Sequence, residues 1–185
     1  MKELVKWAEP ESIRNAYSAA YWNDPSQEQD KPFWISGAAD VRLKQYLLDS
    51  GLLEEFDLAI VALRKSGMLG GKMLDVASGV CWTSALLSKV DAIEQVDALE
   101  FSWHRIHDLA PRVIDNLGGR PEKIQRTFGS FYDIASHHRQ YYDLVMMSQA
   151  FHHADQPLRL LQECDAALKS TGTIVLIGEH LIDWV

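Results

Sequence analysis

From Gly71 onward, short apolar runs alternate with helix-patterned segments, and this alternation predicts an α/β fold. The expected architecture is a doubly wound sheet of about five parallel strands in the order 3-2-1-4-5, preceded by a helical lid. Two junctions sharpen the reading. "KMLDVAS" runs through a small-residue loop into "WTSALLSKV", and "ADQPLRLLQECDAALKSTG" delivers the chain into the apolar "TIVLIGEH". Residues 1–69 are taken as an N-terminal helical cap and 70–185 as the core, within one compact domain overall.

Before the core, "ESIRNAYSAAYW" (11–22) spaces Ile13, Tyr17 and Tyr21 as one face of an amphipathic helix. Residues 23–32 carry two prolines and read as a loop, and "FWISG" as a short turn. "AADVRLKQYLLDSG" and "LLEEFDLAIVALRKSG" are helices closed by Gly51 and Gly67. Within the core, "IEQVDALEF", "KIQRTFGS" and "YDLVMMS" are strands. "WHRIHDLAPRVIDNLGG" is a helix that Pro111 kinks or interrupts. The helix of "ADQPLRLLQECDAALKSTG" is expected to be capped by Asp155, with Pro157 in its first turn and Gly172 after its end.

Composition narrows the function classes. The 185 residues carry a formal net charge of -8 without any Lys/Arg cluster, which disfavours nucleic acid as a partner. No segment approaches the roughly 20 apolar residues of a membrane helix, and the N-terminus lacks a signal-peptide pattern. Cys81 and Cys164 are far apart and read as free thiols, pointing to a cytoplasmic protein.

The chemistry concentrates where the first core strand ends. Asp75 closes that strand, Ala77 and Ser78 keep the loop low, Gly79 lets the chain turn, and Glu100 ends the next strand 21 residues later. A carboxylate at that place accepts both ribose hydroxyls of an adenosine. The dinucleotide fingerprint needs glycine at 77, 79 and 82, where this chain has Ala77, Gly79 and Trp82. An indole at the third position tells against a nicotinamide-dependent oxidoreductase, and no P-loop Lys-Ser/Thr follows. The loop suits an adenosine cofactor without phosphate, and Asp75 suits the ammonium end of an amino-acid-bearing sulfonium.

"LDVASGVCWTSALLS", "VDALEFS", "GSFYDI" and "YDLVMMSQAFHHADQPLRLLQECDAALKSTGTIVLIGEH" together resemble successive motifs of the class I S-adenosylmethionine-dependent methyltransferases, in their small-molecule type 11/12 branch. The resemblance covers about residues 70 to 180. It implies a Rossmann-like core, S-adenosyl-L-methionine as cofactor and methyl transfer to a small molecule by in-line displacement. The family's first motif falls on Asp75, Ala77, Gly79 and Cys81. Glu100 takes the ribose position, Phe101 lies beside the adenine, and Ser130 with Phe131 replaces the usual aspartate facing the adenine amino group. Ser148 and Gln149 stand beside the methionine part, and Tyr21 and Trp22 lie in the segment that lids the cofactor. His152 or His153 is the candidate general base; no metal site is expected.

The family's sixth and seventh strands have no counterpart before Val185, so the last strand is expected at an edge. The N-terminal helices, a second copy of the chain or a further segment would cover it. The alternative function is a non-catalytic S-adenosylmethionine-binding domain serving as partner or scaffold in an assembly.

Overall fold

The apolar runs pair side by side. In the computed structural model, which describes residues 1–9, 13, 19–28 and 39–179, six parallel strands form one sheet. They are β1 (Val5–Lys6), β2 (Gly71–Val76), β3 (Ile93–Glu100), β4 (Ile124–Phe128), β5 (Tyr142–Ser148) and β6 (Leu168–Ile177). Their spatial order is β1-β4-β3-β2-β5-β6. The five long strands follow the expected 3-2-1-4-5 arrangement. The departure is β1, which joins β4 at the edge opposite β6 and is held there as Trp7 N–H donates to Phe128 O at 2.9 Å. Trp7 also stacks on His137 with centroids 4.3 Å apart.

The helices are α1 (Ala19–Trp22), α2 (Ala39–Asp49), α3 (Leu52–Ser66), α4 (Trp82–Ser88), α5 (Ala110–Asn116), α6 (Ile134–His137) and α7 (Pro157–Ala167). Successive strand residues point to opposite faces, so each strand supplies two cores. Met73, Leu144 and Met146 pack in one apolar cluster with Leu47 of α2, Phe56 of α3 and Val113 of α5. Leu74, Val145 and Met147 pack in the other with Ile134 of α6 and Leu160 of α7. Each buried side chain of this kind contributes about 1.5–3 kcal/mol. The N-terminal helices α2 and α3 therefore share a core with the sheet. Of the helix expected over 11–22, only Ile13 and the stretch from Ala19 are described, and the turn expected at 33–37 lies outside the described residues.

Three local expectations need correction. The interruption expected at Pro111 is a π-helical segment, His104–Leu109, that runs into α5. The helix expected to reach Gly172 ends at Ala167, because Gln140 N–H and Tyr141 N–H donate to the carbonyls of Ala166 and Ala167. The following residues bulge out between the β5–β6 pairs Tyr142–Leu168 and Leu144–Thr173. Gly172 serves that bulge: a Cβ there would stand 2.7 Å from Leu168 Cδ2 and 3.2 Å from Asp143 O. Asp155 does not cap α7. Its carboxylate accepts the Tyr132 hydroxyl, which in turn accepts Gln156 N–H at 2.9 Å and so satisfies the helix start in its place.

Asp75 is likewise claimed by the fold. It is 1% exposed, and its Oδ2 accepts the hydroxyls of Thr83, at 2.6 Å, and Ser84 from the first turn of α4. Burial pushes its pKa up from 3.8 to about 6, against the pull of those two hydrogen bonds. The folded chain thus holds this proton more tightly than the unfolded chain does. The resulting stabilisation is complete below the unfolded value and is lost as pH rises through about 6. A shift of about two units corresponds to roughly 3 kcal/mol. Asp75→Asn keeps an acceptor for both hydroxyls but does not titrate. Urea unfolding at pH 4 and pH 7 should therefore show wild type losing about 2 kcal/mol more than Asp75→Asn between the two, since part of the effect is already lost at pH 4. Equal losses in both proteins would remove Asp75 as the source.

Candidate functional site

All long strands are parallel, so their carboxyl ends gather at one edge of the sheet, where doubly wound folds hold ligands. The loop leaving β2 bends through three left-handed residues, Ala77 (φ 52°), Gly79 (φ 54°) and Cys81 (φ 64°). These are the positions where the methyltransferase motif prefers glycine, and only Gly79 adopts the conformation without side-chain strain. Cys81 precedes α4 with its thiol turned into the protein, 3.5 Å from Ser78 Oγ. Burial pushes that thiol up to about 12, so it is a packing group rather than a nucleophile.

Three of the loop's N–H groups are used internally. Ser78 N–H donates to Leu99 O at 2.9 Å, Cys81 N–H to Ser78 O at 2.8 Å, and Gly79 N–H to Glu100 Oε2 at 2.8 Å. Glu100 Oε1 accepts Phe101 N–H at 3.0 Å and Ser102 N–H at 2.7 Å. The carboxylate is 3% exposed. Burial raises its pKa, while the Arg105 charge and these N–H groups oppose the rise.

Glu100 forms part of the wall of a cavity of about 290 Å³. Ala77, Phe101, Ser130, Phe131 and Gln149 share that wall, with the Phe101 and Phe131 rings 6.4 Å apart and tilted by 52°. Ser130 Oγ also accepts Tyr132 N–H at 3.1 Å, which fixes the turn after β4. Trp22, Tyr132, His153, Asp155 and Gln156 line the same cavity. A second cavity, of about 120 Å³, lies along Ser78, Gly79 and Ser148 and shares Ala77, Arg105 and Gln149 with the first. Ser148 Oγ is buried there without a hydrogen-bond partner, and Gln149 is a further left-handed residue (φ 50°). Such backbone strain clusters at ligand sites.

Of the residues expected at the cofactor, Ala77, Ser78, Gly79, Glu100, Phe101, Ser130, Phe131, Ser148 and Gln149 line one or both cavities. Asp75 lines neither, being bound to Thr83 and Ser84 beneath the loop. Tyr21 is 55% exposed and also lines neither; Trp22 takes the wall position instead. The segment is pinned by contacts that carry no sequence signature. Asn23 Nδ2 donates to Phe101 O at 3.2 Å and Asn23 Oδ1 accepts Trp103 N–H at 2.8 Å. Ser102 Oγ donates to Trp22 O at 2.7 Å.

The histidines divide. His153 lines the larger cavity with its ring 4.8 Å from Trp22. His152 lies one step back, its Nδ1 2.7 Å from Glu179 Oε2 and its ring 4.0 Å from that of His153. Glu179, just past β6, also accepts N–H from Ala150 and Phe151, each at 2.9 Å, and from His152 at 3.1 Å. Burial works to raise the Glu179 carboxyl, but these N–H groups and the imidazole hold its pKa below the usual value. Its only sequence signal is its place at the end of the last strand. Among the described residues, no group of three His, Cys, Asp or Glu could hold a metal ion.

Comparison with known proteins agrees with this geometry. Residues 74–176 match the family described as the methyltransferase domain. The structure resembles a protein described as an S-adenosyl-L-methionine-dependent methyltransferase from Methanococcus maripaludis. That match has TM-score 0.61 and 20% identity, covering 75% of this chain and 62% of that one. It also resembles a protein described as a sarcosine dimethylglycine methyltransferase from Galdieria sulphuraria, with TM-score 0.60, 24% identity and coverage of 67% and 46%. A third likeness is to the DhpI–SAM–HEP complex, with TM-score 0.57, 18% identity and coverage of 85% and 62%. This chain thus spans less than two thirds of the length of each of these structures. No curated protein matches it. S-adenosylmethionine is the cofactor of such a domain, and the orphaned Ser148 hydroxyl and buried Glu100 carboxylate fit its polar ends. Because the family match spans more than half of the sequence, the chain belongs to the methyltransferase-domain family.

Proposed function

We propose that the protein transfers a methyl group from S-adenosylmethionine to a small-molecule acceptor, in the cytoplasm, mainly by positioning the reactants. The observation that carries this reading is the loop after β2. Its Ser78, Gly79 and Cys81 N–H groups are all engaged within the protein, leaving no ring of amides for a diphosphate. Beside it stands a buried carboxylate flanked by two phenylalanines. That combination suits an adenosine without phosphate. Glu100 would accept the ribose hydroxyls, Phe101 and Phe131 would flank the adenine, and Ser130 would face its amino group. Ser78, Gly79, Ser148 and Gln149 would border the amino-acid end.

When bound, the cofactor supplies an electrophilic methyl group on a sulfonium whose departure leaves a neutral thioether. The chain then has to align an acceptor and exclude water, which Trp22, Tyr132 and His153 do at the outer wall of the larger cavity. An acceptor that must lose a proton can give it to an imidazole of the His152–His153 pair, which Glu179 holds in place. The outer edge of β6, where Leu176 is 43% exposed, is where a second copy of the chain or a further segment would pair.

The decisive experiment incubates the protein with S-adenosylmethionine and a panel of amine, hydroxyl and thiol metabolites, and measures S-adenosylhomocysteine formed. Acceptor-dependent product supports the reading. Binding of the cofactor without product from any acceptor would point to a non-catalytic domain, and binding of NAD alone would sink the cofactor assignment. Calorimetric titration should show Glu100→Ala weakening S-adenosylhomocysteine by about 1.5–3 kcal/mol, the scale of hydrogen bonds to a charged group. Unchanged affinity would reject the ribose assignment. Glu179→Gln presents an amide N–H₂ to donors that need an acceptor, so turnover should fall about tenfold or more, with S-adenosylhomocysteine affinity within about twofold of wild type. Equal losses in both would make Glu179 a general structural brace.

A further inference from the structure

The outer side of α3 (Leu52–Ser66) is apolar where a helix facing water is normally polar. The helix turns Leu52, Phe56, Ile60 and Leu63 into the core. Glu54, Leu58, Val61 and Lys65 follow one another at helical spacing and form a single line on the opposite side. Leu58 is 62% exposed and Val61 43%, and Leu48 near the end of α2, 57% exposed, extends the apolar surface. Leu48, Leu53, Leu58 and Val61 line a depression of about 290 Å³, rimmed by Glu54 and Asp57. Exposed aliphatic surface with a charged rim marks an interaction face.

The charges of this helix are sorted by sign. Glu54, Glu55 and Asp57 stand in its first half, and Arg64 and Lys65 in its last turn. The helix dipole favours that order but does not account for the aliphatic residues between. Glu54 and Lys65 lie about 16 Å apart along the axis, at about 1.5 Å per residue, too far to pair within one chain. Among the described residues, no ion pair joins Glu54, Asp57, Arg64 or Lys65 to another side chain.

A second copy of the same helix supplies what each feature lacks. Leu58 and Val61 are equally far from the helix midpoint between Ala59 and Ile60, and so are Glu54 and Lys65. A two-fold axis through that midpoint sets two helices antiparallel. Leu58 then meets the second copy's Val61, and Glu54 meets the second copy's Lys65, each contact occurring twice. Asp57 and Arg64 share one flank, and the axis brings them beside the second copy's Arg64 and Asp57 on that flank.

We propose that the protein forms a symmetric dimer by antiparallel packing of α3 against α3 of a second copy, with Leu58 and Val61 at the centre and Glu54–Lys65 pairs at both ends. A single helix pair is at the low end of interface sizes, so the association is reversible and depends on concentration. Neither Leu58 and Val61 nor Glu54 and Lys65 line the cavities at the carboxyl edge, so the dimer leaves that site open.

Sedimentation velocity between about 5 and about 200 µM measures the association. Wild type should pass from monomer toward dimer across that range. Leu58→Glu, at a side chain outside the core, should raise the dissociation constant about tenfold or more. Glu54→Lys and Lys65→Glu each set like charges opposite one another twice, and each should raise it about threefold or more. An equimolar mixture of these two variants restores both end pairs and should associate within about twofold of wild type. That rescue tells loss of the contact from loss of the fold. A wild type that stays monomeric through about 200 µM overturns the proposal. So does a dimer that survives Leu58→Glu, which would place the contact elsewhere, such as the edge of β6. A dimer that Leu58→Glu destroys, but that mixing the charge variants does not restore, rejects the antiparallel arrangement.

Discussion

The site depends on one buried carboxylate. Glu100 ties the loop after β2 to the corner after β3, through Gly79 N–H on one side and Phe101 and Ser102 N–H on the other. Removing a carboxylate from water is expensive, and it is tolerated because three N–H groups replace the lost hydration. The same bonds over-determine the loop conformation. Left-handed φ at a non-glycine residue costs about 1–2 kcal/mol, so Ala77 and Cys81 can stand there only where their surroundings leave no alternative. Cys81 fits because its side chain turns down against Ser78 and α4 rather than up toward the cavity.

Around that lock, pieces remote in sequence converge. Trp22 and Asn23 are clipped to residues 101–103, 80 or so positions further on, by three hydrogen bonds. Tyr132 joins the turn after β4 to the start of α7, and Glu179 joins the end of β6 to the turn after β5. Parallel strands make these meetings possible, since they deliver every carboxyl end to one edge. Each clip spans two neighbouring loops, so the rim behaves as a continuous band rather than as separate loops.

How much of this the sequence displays follows from where the pattern is periodic. The five long strands and their order are readable because Met73-Leu74 and Met146-Met147 belong to runs buried on both faces, flanked by amphipathic helices. The acid at the end of β3 is readable because its spacing from Gly79 is set by one loop and one helix. β1 is not, since two exposed residues carry no period. The end of α7 is hidden because "LKSTG" suits a helix with a glycine stop as well as a bulged strand, and only pairing with β5 decides. Asp75 was expected at the ligand because it ends a strand, whereas Thr83 and Ser84 claim it from the next helix. That hydroxyl pair in the first turn of α4 was the available signal. Asn23, Arg105 and Glu179 are single polar residues whose partners lie far away in the chain, and no local spacing marks them.

The acidic balance of the chain also takes on a definite meaning at the site. Glu100, Asp155 and Glu179 all stand at the rim, but each carboxylate is engaged by groups of the protein itself: backbone N–H, the Tyr132 hydroxyl, the His152 imidazole. These charges set shape before they contact any ligand. Beside them stands Arg105, which lines both cavities and acts electrostatically on Glu100. A preorganised shape is what methyl transfer mainly requires of a protein, because the leaving group needs no proton and the reacting methyl needs alignment more than activation.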